Sequence, residues 1–170
     1  MSTLFVNNIK HTGGTSAMAI DSSGRVTQPV LPSITVDIST SGYVNVDQNT
    51  IIPFNNILFH NGGLNTSFNT STHKLTIPIA GVWSISFHAL AESSESNLDA
   101  SLFLERSGSN VRQCRFFQST NRGISGSIHI PCLVSDILTI QNNSGGTRGY
   151  IGTGGNEGNR YTWWSSTLIG

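Results

Sequence analysis

Between Lys74 and Leu90 the chain reads KLTIPIAGVWSISFHAL, and from Trp83 onward the apolar residues Trp83, Ile85, Phe87 and Ala89 fall on every second position. A period of two puts these side chains on one face of a strand and Ser84, Ser86 and His88 on the other. A strand with one apolar and one polar face belongs in an antiparallel sheet covered on one side, so a second layer must close over the apolar face. Pro78 cannot donate to a central ladder, and together with Gly81 it predicts a change of direction just before this strand.

The same alternation recurs from Leu31 onward. Apolar runs at ITVDI, IIPFNNILF, LDASLFLE, VRQCRFFQ, ISGSIHIPCLV, ILTIQ and RYTWWSSTLI are separated by turn sequences such as HNGGLNTS, RSGSN and STNRG. Leu98, Ala100, Leu102 and Leu104 alternate with Asp99, Ser101, Phe103 and Glu105, which is a strand pattern and not a helical one. Ile124, Gly126, Ile128, Ile130 and Cys132 share a face, with Gly126 expected to leave room for a large neighbour such as Trp83. Roughly eight to ten short strands with turns between them predict an all-β, two-sheet antiparallel jelly-roll sandwich. A barrel would tolerate the same spacing, and nothing in the residues selects one.

Residues 1–30 differ from this pattern. LFVNNIK and SAMAI are short apolar runs separated by HTGG, and DSSGR makes a second turn before VTQPV, so two or three short strands with tight turns are expected. So small a piece cannot bury a core alone. It reads either as a frayed N-terminal arm or as an attachment and trimerising element, with Leu4, Phe5, Val6 and Ile9 as the docking side chains. Gln28, Pro29 and Pro32 mark the boundary with the head, residues 31–170.

Charge narrows the partners. Nine basic and nine acidic residues cancel and only 11% of residues are charged, so no basic field exists to hold nucleic acid or an anionic membrane. No stretch approaches the ~20 apolar residues of a membrane-spanning helix, so no membrane insertion is expected. MSTLFVNNIK lacks the charged leader and apolar core of a secretory signal, which leads us to expect assembly in a cytosol. Two cysteines, Cys114 and Cys132, make neither a disulfide framework nor a zinc site and read as buried thiols.

Gly81, Trp83, Ile85 and Phe87 form a glycine followed by alternating large apolar residues; Leu75 stands six positions before Gly81 and Phe68 seven before that. Phe54 and Asn61 form an upstream pair, and the chain closes on Trp164, Ser165, Ser166, Thr167, Leu168 and Ile169. In these motifs residues 31–170 resemble the C1q-like globular domain of the C1q and tumour-necrosis-factor jelly-roll group. That family usually has a phenylalanine at the position of Leu75, an aromatic at Phe68, a glycine at Ser166 and an aromatic at Thr167, and its Phe54–Asn61–Phe68 spacing is shorter. The resemblance implies a homotrimer with a binding or structural role. The collagen stalk common in the family is missing, since no Gly-X-Y repeat precedes Leu31. Instead LFVNNIKHTGGTSAMAIDSSGRV resembles N-terminal pieces of phage virion and tail-fibre proteins, which place a trimeric attachment element before a C-terminal head.

The candidate sites follow from these readings. Phe54, Phe68, Trp83, Ile85, Phe87, Trp163, Trp164 and Leu168 are expected in the core or at the trimer axis. The loop NNSGGTRGYIGTGGNEGN is the candidate receptor contact, through Arg148, Tyr150, Asn156, Glu157 and Arg160, for a host-surface protein or glycan; a plain surface connection fits equally. Arg106, Arg112, Arg115 and Arg122 cluster about one hairpin with Phe116 and Phe117, as at subunit interfaces or on a solvated face. His60, His73 and His88 sit on neighbouring runs, but no HxH or HExxH spacing supports a metal. With no G-x-S-x-G elbow, no clear acid pair and no phosphate loop, neither catalysis nor a cofactor is expected. The chain reads as a homotrimeric phage virion structural protein, a fibre, tail-fibre or decoration protein. In that reading it is assembled in the host cytoplasm, and its arm contacts other virion proteins. The alternative is a free C1q-like binding or signalling module.

Overall fold

The computed structural model describes residues 8–10, 16–20, 22–27, 31–92, 97–118, 123–153 and 160–170. The chain divides into two compact units, Met1–Leu31 and Pro32–Gly170. The first contains β1 (Asn8–Lys10), β2 (Ser16–Ile20) and β3 (Val26–Thr27), an antiparallel sheet in sequence order. Ile20 and Val26 are cross-strand partners in it, and both side chains are exposed.

The second unit, the head, is built from twelve strands among its described residues. They are β4 (Ser33–Asp37), β5 (Tyr43–Val46), β6 (Asn56–Asn61), β7 (Phe68–Asn69), β8 (Lys74–Thr76), β9 (Gly81–Leu90), β10 (Leu98–Arg106), β11 (Ser109–Gln118), β12 (Gly123–Cys132), β13 (Ile137–Asn142), β14 (Arg148–Ile151) and β15 (Trp163–Leu168). One five-stranded antiparallel sheet has the order β11-β10-β13-β8-β7 and the other β12-β9-β15-β4-β6. This is the two-sheet jelly-roll sandwich that the alternation demands.

Each sheet turns its apolar period toward the other. Trp83, Ile85, Phe87 and Ala89 of β9 are buried, as are Leu98, Ala100, Leu102 and Leu104 of β10. Phe54, Phe68, Phe87, Phe116 and Trp164 run through the core as ring contacts with centroids 5.2–6.4 Å apart. Tilted and edge-on pairs of this kind add about 0.5–1.5 kcal/mol each beyond burial. Trp83 is wholly buried, and its indole N–H donates to the Ile79 carbonyl at 3.1 Å.

Several expectations need correction. The run Ile51–Phe59 is not one strand: Ile52 N–H donates to Ile140 O beside β13, and the chain then leaves for the other sheet as β6. Pro53 lies at that corner, where a residue without an N–H interrupts no ladder. HNGGLNTS holds a short 3-10 turn, Leu64–Thr66, as well as a bend. The glycine-rich stretch after β13 is not wholly loop, because Arg148–Ile151 forms β14 and pairs with β5, a two-stranded ribbon absent from our strand count. The space at Gly126 serves Phe116 and not Trp83: a Cβ there would lie 2.6 Å from the Phe116 ring, whereas Trp83 faces Ile130. At Gly81 the close neighbour is the chain's last turn, since a Cβ would meet the Gly170 carbonyl and come within 2.6 Å of Leu168.

The ribbon is tied to the sandwich through a bridge from Tyr150 to Ala91, through Glu92 N–H donating to Gly149 O at 2.9 Å, and through one buried amide. Asn142 Nδ2 donates to Val46 O at 2.8 Å and Gly146 O at 3.0 Å, while its Oδ1 accepts from Tyr150 O–H and Ser144 N–H at 3.1 Å each. Ser166, which stands where the resemblance expects glycine, is buried with a hydroxyl that makes no hydrogen bond.

These contacts predict opposite signs for two small substitutions, both measurable by urea unfolding. Gly126→Ala should lower stability by about 1–3 kcal/mol through overpacking, and less when combined with Phe116→Leu. Ser166→Ala should leave stability unchanged or raise it by roughly 1 kcal/mol, because an unbonded buried hydroxyl is removed.

Candidate functional site

The two sheets have unlike outer faces. In the sheet containing β10 charged side chains stand among the outward positions, beside uncharged ones such as Ser101, Phe103 and Thr139. Arg115 pairs with Asp99 at 2.6 Å and lies 4.6 Å over the Phe117 ring; Arg112 lies 5.6 Å over Phe103; Lys74 reaches Glu105 at 3.3 Å. At the strand end Arg106 holds Asp136 through two hydrogen bonds of 2.6 and 2.9 Å. The Arg106 hydrogen bonds, helped by Leu133 N–H, keep the Asp136 carboxyl below the usual carboxylate range. The predicted arginine cluster is therefore mostly absorbed within the chain, and Arg122 lies outside the described residues.

The sheet β12-β9-β15-β4-β6 contains one charged side chain, Asp37, in its five strands. Asp37 is buried, accepts from Asn56 Nδ2 at 2.8 Å, and is neutralised by Arg160. Register then lays small uncharged side chains in rows across the outer face. Ser127, Ser86, Ser165 and Thr35 form one row ending at exposed Phe59; His129, Ser84, Thr167 and Ser33 form the next. In the third row His88 stacks on Trp163, ring centroids 6.1 Å apart and planes at 27°. Burial in that stack lowers the pKa of His88.

The structure separates the sequence-predicted residues. Phe54, Phe68, Trp83, Ile85, Phe87 and Trp164 lie in the core of one chain; Leu168 packs half-buried against it; Trp163 alone of the group is on the outer face. Arg148 and Tyr150 are strand residues, a correction to the receptor-loop reading. Tyr150 is fully buried and bonded to Asn142, and the Arg148 guanidinium donates to the carbonyls of Thr147 and Ser144. Arg160 is engaged with Asp37, while Asn156 and Glu157 lie outside the described residues. Ile9 is in β1 opposite Met18, and Leu4, Phe5 and Val6 lie outside the described residues.

The histidines do not converge. His60 and His88 share a sheet with two strands between them, and His73 sits in the β7–β8 turn bonded to the Phe54 carbonyl at 2.9 Å. Among the described residues no group of three or more His, Cys, Asp or Glu side chains is placed to hold a metal ion. Both cysteines are free thiols. Cys132 is buried, which pushes its thiol up to about 11; Cys114 is only half-buried and shifted the same way. The Asn142 hub was missed by sequence reasoning; its one signal was a polar run, QNNS, ending an apolar strand.

No protein-family model and no curated protein sequence matches this chain. Solved structures do. The globular domain of zebrafish complement 1qA protein is similar at 21% identity and TM-score 0.62, covering 82% of this chain and 98% of that one. Eiger TNF from S. frugiperda is similar at 11% identity and TM-score 0.66, covering 82% and 93%. Murine APRIL is similar at 8% identity and TM-score 0.60, covering 82% and 100%. At these identities the likeness shows a C1q/TNF-like jelly-roll fold and no more.

Protonation supplies a check on the outer face. Because folding depresses the pKa of His88, its neutral form contributes stability that is full above the unfolded value of about 6.5 and is lost as pH falls through the folded value. Wild type minus His88→Gln, followed by thermal unfolding between pH 7.5 and 5, should show that loss. For Asp136 the same sign places the loss below about pH 4, and Asp136→Asn should abolish it.

Proposed function

We propose that the chain is a non-enzymatic structural protein of a phage virion, a fibre, tail-fibre or decoration protein, whose C1q-like head associates as a homotrimer. The observation that carries the trimer is the charge asymmetry between the two sheets. A sheet face that meets water is ordinarily studded with charged side chains, as the β10 sheet is. The opposite sheet presents serine, threonine, histidine and tryptophan, with its one carboxylate already neutralised. Small uncharged residues let a second sheet approach closely without desolvating ions, and depletion of charge is the compositional mark of an interface core.

The virion assignment is supported by the resemblance of LFVNNIKHTGGTSAMAIDSSGRV to phage attachment segments. It is also supported by the small arm sheet, whose exposed Ile20 and Val26 call for a cover that three short strands do not supply. The arm would tie the protein to other virion proteins and leave the head outward, where its loops are available to a host surface. The rival reading, a free C1q-like binding module, draws on the likeness to complement 1qA and TNF structures.

Two measurements decide. Light scattering at known concentration should return three times the chain mass, and Ser86→Lys, placed at the centre of the uncharged face, should return one chain mass with the fold intact. Mass spectrometry of purified particles should recover the protein; a trimer absent from particles would favour the free module.

A further inference from the structure

The turn HNGG after β6 holds the chain's one Asn–Gly step: of all its asparagines, only Asn61 is followed by glycine. Asn61 is the last residue of β6, opposite Ser33 of β4, and Gly62 opens the turn. Packing fixes that glycine in place. Its φ is +62°, and a Cβ on it would lie 2.9 Å from the Pro32 Cα, so no larger residue fits there without a shift of the backbone.

The Asn61 side chain is folded back onto the next peptide group. Gly62 N–H donates to Asn61 Oδ1 at 2.8 Å, which sets the orientation of the amide and brings the peptide nitrogen beside Cγ. Asn61 is partly exposed, and among the described residues its Nδ2 has no hydrogen-bond partner. Other asparagines of the head are held away from such a reaction. Asn69 Oδ1 accepts from Ser71 and Thr72 N–H, Asn55 and Asn56 are tied to Ser39 and Asp37, and Asn142 is bonded at both ends of its amide. Each is also followed by a residue whose own side chain shields its nitrogen, a shield that Gly62 lacks.

We propose that Asn61 is a self-modifying site, which passes through a cyclic imide with Gly62 to aspartate and isoaspartate with no enzyme. The Gly62 nitrogen gives its proton to hydroxide and attacks Cγ once rotation about Cβ–Cγ turns the face of the amide toward it. The N–Cγ bond forms, the Cγ–Nδ2 bond breaks, and Nδ2 leaves as ammonia after taking a proton from water. Water then opens the ring. Addition at Cγ gives an aspartate side chain; addition at the Asn61 carbonyl carbon gives isoaspartate, with the main chain running through Cβ and Cγ. Two groups already in contact make the first step intramolecular, which is its advantage over direct attack by water. Either product adds a carboxylate to a sheet whose strands hold one charged side chain, at the end of the row His129, Ser84, Thr167 and Ser33. The chemistry needs neither a trimer nor a particle.

The test incubates the folded full chain at pH 7 and at pH 8 and follows its peptides by mass spectrometry, with electron-transfer fragmentation to tell isoaspartate from aspartate. Asn61 should be the first asparagine to convert, with isoaspartate among its products. Conversion should run about tenfold faster at pH 8 than at pH 7, because the attacking nitrogen must lose its proton. Asn61→Gln, which would have to close a larger ring, should show no conversion at this position over the same time. An Asn61 that stays intact in the folded chain, while it converts in the same chain unfolded by guanidinium chloride, overturns the proposal: the fold then protects the step. Aspartate formed without isoaspartate also overturns it, since water would have attacked the amide directly. So does any other asparagine converting ahead of Asn61.

Discussion

Period-two alternation in β9 is the constraint on which the head depends. The strand lies between β12 and β15, hydrogen-bonded on both sides, so its register fixes the destination of every side chain in three strands at once. Slipping by a single residue would send Trp83, Ile85 and Phe87 outward and bring Ser84, Ser86 and His88 into the core. The aromatic chain Phe116–Phe87–Phe54–Trp164–Phe68 then joins both layers. Gly126 gives Phe116 its place, and Gly81 admits the end of the chain against the start of β9.

From this division comes a molecule with two different exteriors. One sheet spends its outward positions on ion pairs and arginine–aromatic contacts, which suit water. The other carries small uncharged side chains, with a histidine–tryptophan stack across β9 and β15. Of the ion pairs on the first sheet, Lys74–Glu105 is exposed at both ends, and such a pair contributes about 0–1 kcal/mol; Asp99 and Asp136 are buried, so Arg115 and Arg106 neutralise carboxylates that are out of water. The contrast gives the head an orientation before any partner is present.

How much of this was legible beforehand depended on whether a residue's fate is local. Trp83 to Ala89 and Ile124 to Cys132 announce their burial by spacing alone, and the jelly roll follows from counting such runs. The turn-to-strand change at Pro53 and the β5–β14 ribbon are not local. YVNV is short and RGYI sits amid glycines; they form strands by pairing with each other across the chain, and are joined to the rest by distant groups such as Asn142, ninety-six residues from Val46, and Glu92, whose N–H reaches Gly149 O. Tyr150 looked like a loop residue for the same reason. Arg160 likewise seemed available, because nothing in its neighbourhood of the chain hints that Asp37 waits in β4. The uncharged outer face was present in the composition of five separated strands, and only the pairing order assembles them.

The place of β15 has a consequence for biosynthesis. It is the last of the head's strands to be made, yet it is inserted between β4 and β9, which are made far earlier. Until it leaves the ribosome, both neighbours keep an unpaired edge and the core lacks Trp164. The nascent head must remain open for most of its translation, with late, long-range closure that slows folding. A prematurely terminated chain would carry two sticky edges and be a natural client for chaperones.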